Sequence, residues 1–163
     1  MEGRQWGLVV ALAIAVTAVG ASESDPARLY ERAMAYARGE GVATDMEQAR
    51  ELLQRAAEHD HAQAQYALGW LYYKGDGLAT DYSRAAKLIE ESAEAGHPPA
   101  QHMLGLLYAG GEGVARDNAQ ALQWAQRAAD NDYEPAKGLI RSLRRLGAQT
   151  RSNASSSQGS PAD

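Results

Sequence analysis

A seven-residue phrase recurs in this chain at an interval of 36 residues, and this repetition constrains the fold more than any other feature. The phrase reads GEGVATD from Gly39, GDGLATD from Gly75 and GEGVARD from Gly111. Self-similarity at a fixed period of about 20 to 50 residues is typical of stacked repeat proteins. We therefore divide the chain into three copies and a final half copy, at residues 26–61, 62–97, 98–133 and 134–146.

Small and apolar residues recur at helical spacing on both sides of the phrase. In the second copy this pattern occurs in two segments: AQAQYALGWLYYK, which precedes the phrase, and DYSRAAKLIEESAEA, which begins at the last residue of the phrase. Each repeat is therefore predicted to contain a helix A, the phrase as a corner, and a helix B. The fold class is predicted as all-α, an α-solenoid of about three and a half repeats of 36 residues.

The residues of the phrase suit a helix-to-helix corner. A glycine is the least costly residue in the left-handed conformation that ends a helix, which is the role we predict for Gly39, Gly75 and Gly111. The aspartates that close the phrase are predicted to cap helix B, and its aliphatic residue is predicted to anchor the loop on the core. A phosphate-binding glycine loop normally follows a strand, whereas a helix precedes the phrase here.

Two glycines lie in the middle of helix A, where glycine costs about 1 kcal/mol relative to alanine. They are Gly69 and Gly105. We expect a close crossing of helices A and B at these positions.

The segment AQYALGWLYYKGDGLATDYSRAAKLIEESAEAGH resembles the Sel-1-like repeat, a relative of the tetratricopeptide repeat. The similarity runs through A-Q-x-x-L-G-x-x-Y, G-x-G-x-x-x-D and an alanine-rich helix B, over about 120 residues. It is weakest in the first copy and in the last half copy. The resemblance implies a right-handed α-solenoid and a protein-binding or assembly role, in bacterial envelope proteins or signalling.

The resemblance also implies that the A helices line a concave face. On that face, the side chains that the repeat pattern does not require are candidate contacts for a partner. The alternative role for Trp70 and Leu106 is to pack between adjacent repeats. The candidates are Met34, Trp70, Tyr73, His102 and Leu106, with the small residues Ala37 and Ala109 beside them. The tyrosines at pattern positions, Tyr66, Tyr72 and Tyr108, are predicted to belong to the core.

No catalytic, metal or cofactor site is predicted. Some secreted relatives in the family are described as cysteine-rich hydrolases with a cysteine pair in each repeat, but this chain has no cysteine. We therefore predict a non-enzymatic protein, and the cysteine-rich hydrolase type is the weakest alternative. His59, His61 and His97 are interpreted as polar turn residues, with Asp60, Gly96 and Asp132 taking the left-handed positions that end helix B.

Charge is distributed unevenly along the chain. Residues 22–136 hold 10 Lys and Arg against 19 Asp and Glu, whereas residues 137–163 hold five basic residues and one acid. An overall net charge of −5 does not favour nucleic acid. The basic residues of the last helix, Lys137, Arg141, Arg144 and Arg145, are predicted to face solvent on a capping helix. Contact with an acidic polymer or with anionic lipid head groups is their alternative role.

The two ends of the chain differ from the repeats. Residues 1–21 combine a net positive start, an apolar run and small residues near Gly20, which is typical of a cleaved signal peptide. An uncleaved anchor in the inner membrane is the alternative, and direct membrane contact is expected only in that case or through the basic helix. Residues 147–163 are predicted to be a disordered tail.

The sequence thus predicts an exported, periplasmic or secreted adaptor that binds a protein partner through its concave helix-A face. A binder of cell-wall or acidic polysaccharide is the alternative function.

Overall fold

A computed structural model describes residues 24–75 and 79–157, with only the backbone described for 151–157. The predicted signal segment and residues 158–163 lie outside the described residues. Within the described ranges the chain forms seven helices and no strand, which confirms the predicted all-α class. The helices are α1 (Pro26–Arg38), α2 (Met46–Ala57), α3 (Ala62–Lys74), α4 (Tyr82–Glu94), α5 (Pro98–Gly110), α6 (Asn118–Asp130) and α7 (Pro135–Ser157).

The chain divides into two compact units, Met1–Leu68 and Gly69–Asp163. In the first unit α1 packs against α2, and both helices contribute buried apolar side chains, such as Leu29 and Leu53. In the second unit α5 packs against α4, α6 and α7, and α6 packs against α7. Its core is dominated by alanine and leucine, with Ile89 and Leu104 fully buried.

Each corner is closed by the same backbone hydrogen bond. The N–H of the aspartate that ends the phrase donates to the carbonyl of a tyrosine in the preceding helix, nine residues earlier. The three donor and acceptor pairs are Asp45 and Tyr36 (3.1 Å), Asp81 and Tyr72 (3.0 Å), and Asp117 and Tyr108 (2.9 Å). This bond fixes the start of helix B beside the end of helix A in all three repeats.

The predicted caps of helix B are confirmed. The Asp45 carboxylate accepts from the Gln48 N–H at 3.0 Å, and the Asp81 carboxylate accepts from the Arg84 N–H at 2.9 Å. The same aspartate in the third repeat, Asp117, accepts two such bonds, at 2.8 and 3.0 Å. These bonds satisfy N–H groups that have no partner within the helix.

Replacing Asp117 tests this role. Asp117→Ala is expected to lower the free energy of unfolding by about 1 kcal/mol, because the free N–H groups at the start of α6 lose their acceptor. Asp117→Asn keeps a side-chain oxygen and is expected to cost only a few tenths of that amount. Urea denaturation of the two variants beside the wild type measures the difference, and equal losses would contradict the capping role.

The left-handed positions are also confirmed, but the aliphatic anchor is not. The φ angles of Gly39, Gly75 and Gly111 are 70°, 75° and 76°, and Asp60, Gly96 and Asp132 likewise have positive φ after helix B. The anchor prediction is wrong for Val42, whose side chain is 41% exposed. Val114 is half-buried, and Leu78 lies outside the described residues.

The glutamine of the repeat pattern is a buried connector between elements. Gln101, in α5, is only 5% exposed. Its side-chain amide donates to the Ala93 carbonyl of α4 at 3.2 Å and accepts from the Asn131 side chain after α6 at 3.1 Å. One buried polar side chain thus satisfies groups from two neighbouring elements, which explains why an apolar residue does not fill the position.

Helix α7 is longer than the sequence pattern indicated. Ile140 and Leu143 are buried, as expected for a cap, but the helix continues through residues assigned to the tail and ends at Ser157. In the part of the chain that the structure describes, no helix is long and apolar enough to cross a lipid bilayer.

Candidate functional site

Three aromatic side chains form a surface cluster in the second unit, where the end of α3 meets the start of α4. The rings of Trp70 and Tyr73 are stacked, with centroids 5.5 Å apart and planes inclined by 21°. Tyr82 meets Tyr73 edge-on at 5.4 Å. We call these three residues the aromatic cluster. Trp70 is 36% and Tyr82 46% exposed, so the cluster presents apolar ring surface to solvent.

Local sequence explains why the three rings meet. Trp70 and Tyr73 are three residues apart in α3, a spacing that places both on one face of a helix. Tyr82 is the first residue of α4 and follows the cap Asp81. Because the Asp81 N–H bonds the Tyr72 carbonyl, the start of α4 is held beside the end of α3, and Tyr82 reaches Tyr73.

Charged groups border the aromatic cluster on two sides. The Lys74 ammonium lies 5.1 Å from the centroid of the Trp70 ring, within the range of a cation–π interaction. The Tyr73 hydroxyl donates to a carboxylate oxygen of Glu112 at 2.8 Å, and this bond, with burial as the second cause, raises the pKa of Tyr73. The Tyr73 ring is therefore held in place by the corner of the following repeat.

The structure brings together only some of the predicted contact residues. Trp70 and Tyr73 are in contact, and Leu106 holds in α5 the position that Trp70 holds in α3, with 41% of its side chain exposed. Met34 is half-buried in the first unit. His102 is half-buried and lies against Tyr133, so it presents less surface than the sequence pattern suggested.

The prediction that the pattern tyrosines belong to the core needs correction. Tyr66, Tyr72 and Tyr108 are only half-buried. Tyr72 shows the reason, because its hydroxyl bonds the Arg84 guanidinium at 3.0 Å and the same guanidinium lies 5.0 Å from its ring. The phenol oxygen remains at the surface while the ring covers the helix pair, as amphipathic side chains commonly do.

Sequence reasoning missed Lys74, Tyr82 and Glu112. All three lie near the phrase, whose residues were interpreted as corner chemistry alone. The signal in the sequence was the tyrosine directly after the cap Asp81, where the other two repeats have Met46 and Asn118. Met46 is likewise 41% exposed, so the first position of helix B is an outward-facing position.

In each unit, a histidine ring and a tyrosine ring are in contact, one on helix A and the other in the turn after helix B. Tyr30 meets His61 with centroids 5.2 Å apart, and His102 meets Tyr133 at 5.4 Å. The two residue types have exchanged places between the first and third repeats. His61 also accepts from the Ala64 N–H at 3.3 Å, which agrees with its interpretation as a turn residue.

Burial lowers the pKa of His102, and this makes stability depend on pH. Well above about pH 6.5 the histidine is neutral in both the folded and the unfolded state. As the pH falls, the unfolded chain binds the proton first, so the free energy of unfolding decreases until the folded-state pKa is passed. We expect His102→Tyr, the residue found at this position in the other repeats, to reduce the loss of stability between about pH 7.5 and 5.5. Urea midpoints at both pH values measure this, and an unchanged loss would contradict it.

The basic residues of α7 form a second surface. Lys137, Arg141, Arg144 and Arg145 are all exposed, as predicted, while Ala136, Ile140 and Leu143 face the core. Lys137 forms an ion pair with Glu134. Among the described residues, no carboxylate pairs with the three arginines.

Comparisons with known proteins agree with the repeat pattern. The family model described as the Sel1 repeat matches residues 29–61, 62–97 and 98–133. The fold is similar to the crystal structure of a Sel1 repeat protein from Oxalobacter formigenes, with 33% identity and a TM-score of 0.71, over 80% of this chain and 98% of that one. No match was found among curated proteins.

Two further solved structures are similar. The first is c5321, described as a protective antigen present in uropathogenic Escherichia coli strains displaying an SLR fold. It is 33% identical with a TM-score of 0.65, over 69% of this chain and 24% of that one. The second is the Helicobacter pylori cysteine rich protein B, which supports the fold alone at 22% identity, with a TM-score of 0.56 over 58% of this chain and 71% of that one.

Proposed function

The chain belongs to the Sel1 repeat family, whose members are generally protein-interaction scaffolds and typically non-enzymatic, and we propose that it is an adaptor that binds a protein partner through the helix-A face of its repeats. The aromatic cluster is the observation that carries the proposal. We include Leu106 in the proposed face because it is exposed at the equivalent position of the next A helix.

The chemistry of the aromatic cluster suits an interface with a protein. Tryptophan and tyrosine are enriched among the residues that dominate binding energy, because each buries a large area and loses few side-chain torsions. The stacked arrangement of Trp70 and Tyr73 and the Tyr73 bond to Glu112 hold the rings in place before a partner arrives. Such preorganisation lowers the entropic cost of binding.

The proposal includes an exported location. It rests on the sequence pattern of residues 1–21, which predicts a cleaved signal peptide and hence a periplasmic or secreted protein. An uncleaved segment would hold the same repeats at the inner membrane. Comparing the mass of the protein recovered from its own cells with that of the full sequence distinguishes the two.

Affinity co-purification from the source cells tests the binding proposal. The bait is the wild-type chain beside the double variant Trp70→Ala, Tyr73→Ala, and the control is Val42→Ala, Met46→Ala. The control also removes two exposed apolar side chains, but from the first repeat. We expect a defined protein to be recovered with the wild type and the control, and its affinity to fall at least about 30-fold in the cluster variant, a loss of about 2 kcal/mol. Equal recovery with all three baits would refute the proposed site.

A further inference from the structure

The basic face of α7 is a surface that the adaptor proposal does not use. We define it as Lys137, Arg141, Arg144 and Arg145, all exposed. These residues span eight helical steps, or about 12 Å at 1.5 Å per residue. They lie along one stripe of α7, on a side of the helix away from the buried Ile140 and Leu143.

The stability of the helix does not explain this stripe. Residues 135–157 contain no Asp or Glu, and like charges four residues apart, as in Arg141 and Arg145, destabilise a helix. Cations in the first turns, such as Lys137, also oppose the helix dipole. Neutral polar residues would suit the solvent-exposed side of a capping helix equally well.

We propose that the basic face docks the protein on a membrane surface of anionic phospholipid. Guanidinium groups form paired hydrogen bonds with phosphate oxygens. Among the residues that the structure describes, no carboxylate pairs with the three arginines, so their guanidinium groups are available to phosphates. The stripe lies on the outer side of a single helix, so its groups do not converge on one small anion. An extended array of phosphates matches it better.

Two observations favour a lipid surface over an acidic polysaccharide. Arg141 and Arg145 lie beside Leu146, which is only half-buried, on one open stretch of the α7 surface. An apolar side chain beside guanidinium groups fits the boundary between head groups and acyl chains, whereas a sugar-acid polymer offers it little apolar contact. The remaining chain is acidic, with a net charge of −9 over residues 22–136, so an anionic membrane attracts this end alone and orients the protein.

Vesicle partitioning tests the proposal with the full chain. The vesicles are made of phosphatidylcholine alone or of phosphatidylcholine with about one third phosphatidylglycerol, at about 0.1 M salt, where the Debye length is about 10 Å. The measured quantity is the ratio of the two partition coefficients, because binding through the apolar residues 1–21 contributes to both. Each basic residue near an anionic surface contributes about 1 kcal/mol. We therefore expect Arg141→Gln, Arg144→Gln, Arg145→Gln to lower the ratio by up to about 100-fold.

A matched control removes the same charge elsewhere. Arg32, Arg55 and Arg116 are also exposed, and their combined replacement by Gln is expected to change the ratio by less than about threefold, since none of them is part of the basic face. Circular dichroism of both triple variants checks that they remain folded. Equal losses in the two variants would overturn the proposal, as would a wild-type ratio near one. Stronger binding of the wild type to a soluble polyuronate than to the anionic vesicles would assign the basic face to polysaccharide and overturn the lipid assignment.

Discussion

Replacing Gly113 by alanine is expected to lower the free energy of unfolding by about 3 to 4 kcal/mol. Gly113 has a φ of 74°, and a β-carbon built on it would lie 2.0 Å from the Tyr82 carbonyl oxygen. The left-handed conformation alone costs an L-residue about 1 kcal/mol. The remainder arises because the corner of the third repeat must move away from the backbone of α4, and backbone atoms cannot yield as the end of a flexible side chain does.

The first repeat provides the control for this prediction. Gly41 has the same φ of 74°, but a β-carbon there would meet nothing within 4 Å. Gly41→Ala is therefore expected to cost only about 1 kcal/mol, the conformational term by itself. Urea denaturation of both variants gives the comparison. Equal losses would mean that the close approach of the corner to Tyr82 does not contribute to stability.

Gly69→Leu is expected to destabilise the protein by at least about 2 to 3 kcal/mol through overpacking. A β-carbon at Gly69 would lie 2.8 Å from a γ-carbon of Ile89 and 3.2 Å from the Ala85 carbonyl oxygen, and the rest of a leucine side chain needs further space. Ile89 is fully buried, so it has no exposed side to move into. Helices α3 and α4 would have to separate.

Gly138→Ala is the control for Gly69, because it also lies within a helix. A β-carbon at Gly138 would meet nothing within 4 Å, and alanine is the better helix former, so this variant is expected to gain about 0.5 to 1 kcal/mol. Thermal unfolding followed by circular dichroism measures both. Unchanged unfolding of Gly69→Leu would refute the close-packing account.

The sequence predicted those features whose physical cause is local. The helix-ending glycines, the caps Asp45, Asp81 and Asp117, and the left-handed Asp60 each follow from the chemistry of one helix end, so a single repeat is enough to recognise them. Gly69 was predictable for a related reason, since a glycine in a helix interior is costly unless a neighbour needs the space.

Features that depend on contacts between repeats were not predictable in the same way. The hydrogen bond from Tyr73 to Glu112 joins residues 39 positions apart. Neither the sequence around Tyr73 nor the sequence around Glu112 predicts this bond. Val42 was predicted to anchor the corner on the core because it is aliphatic, but it is 41% exposed. The end of α7 was placed too early because its polar, serine-containing continuation lacks the apolar spacing on which helix prediction depends.

Site-specific photo-crosslinking tests the central claim, that a protein partner binds the face formed by the aromatic cluster and Leu106. A photoreactive phenylalanine analogue replaces Leu106, which is exposed on α5, and in a second variant it replaces Lys87, which is exposed on α4. Both variants are irradiated in the source cells. The account predicts a crosslinked protein adduct from position 106 that disappears when Trp70→Ala is added, and none from position 87. An adduct from position 87 alone, or one from 106 that survives Trp70→Ala undiminished, would contradict it.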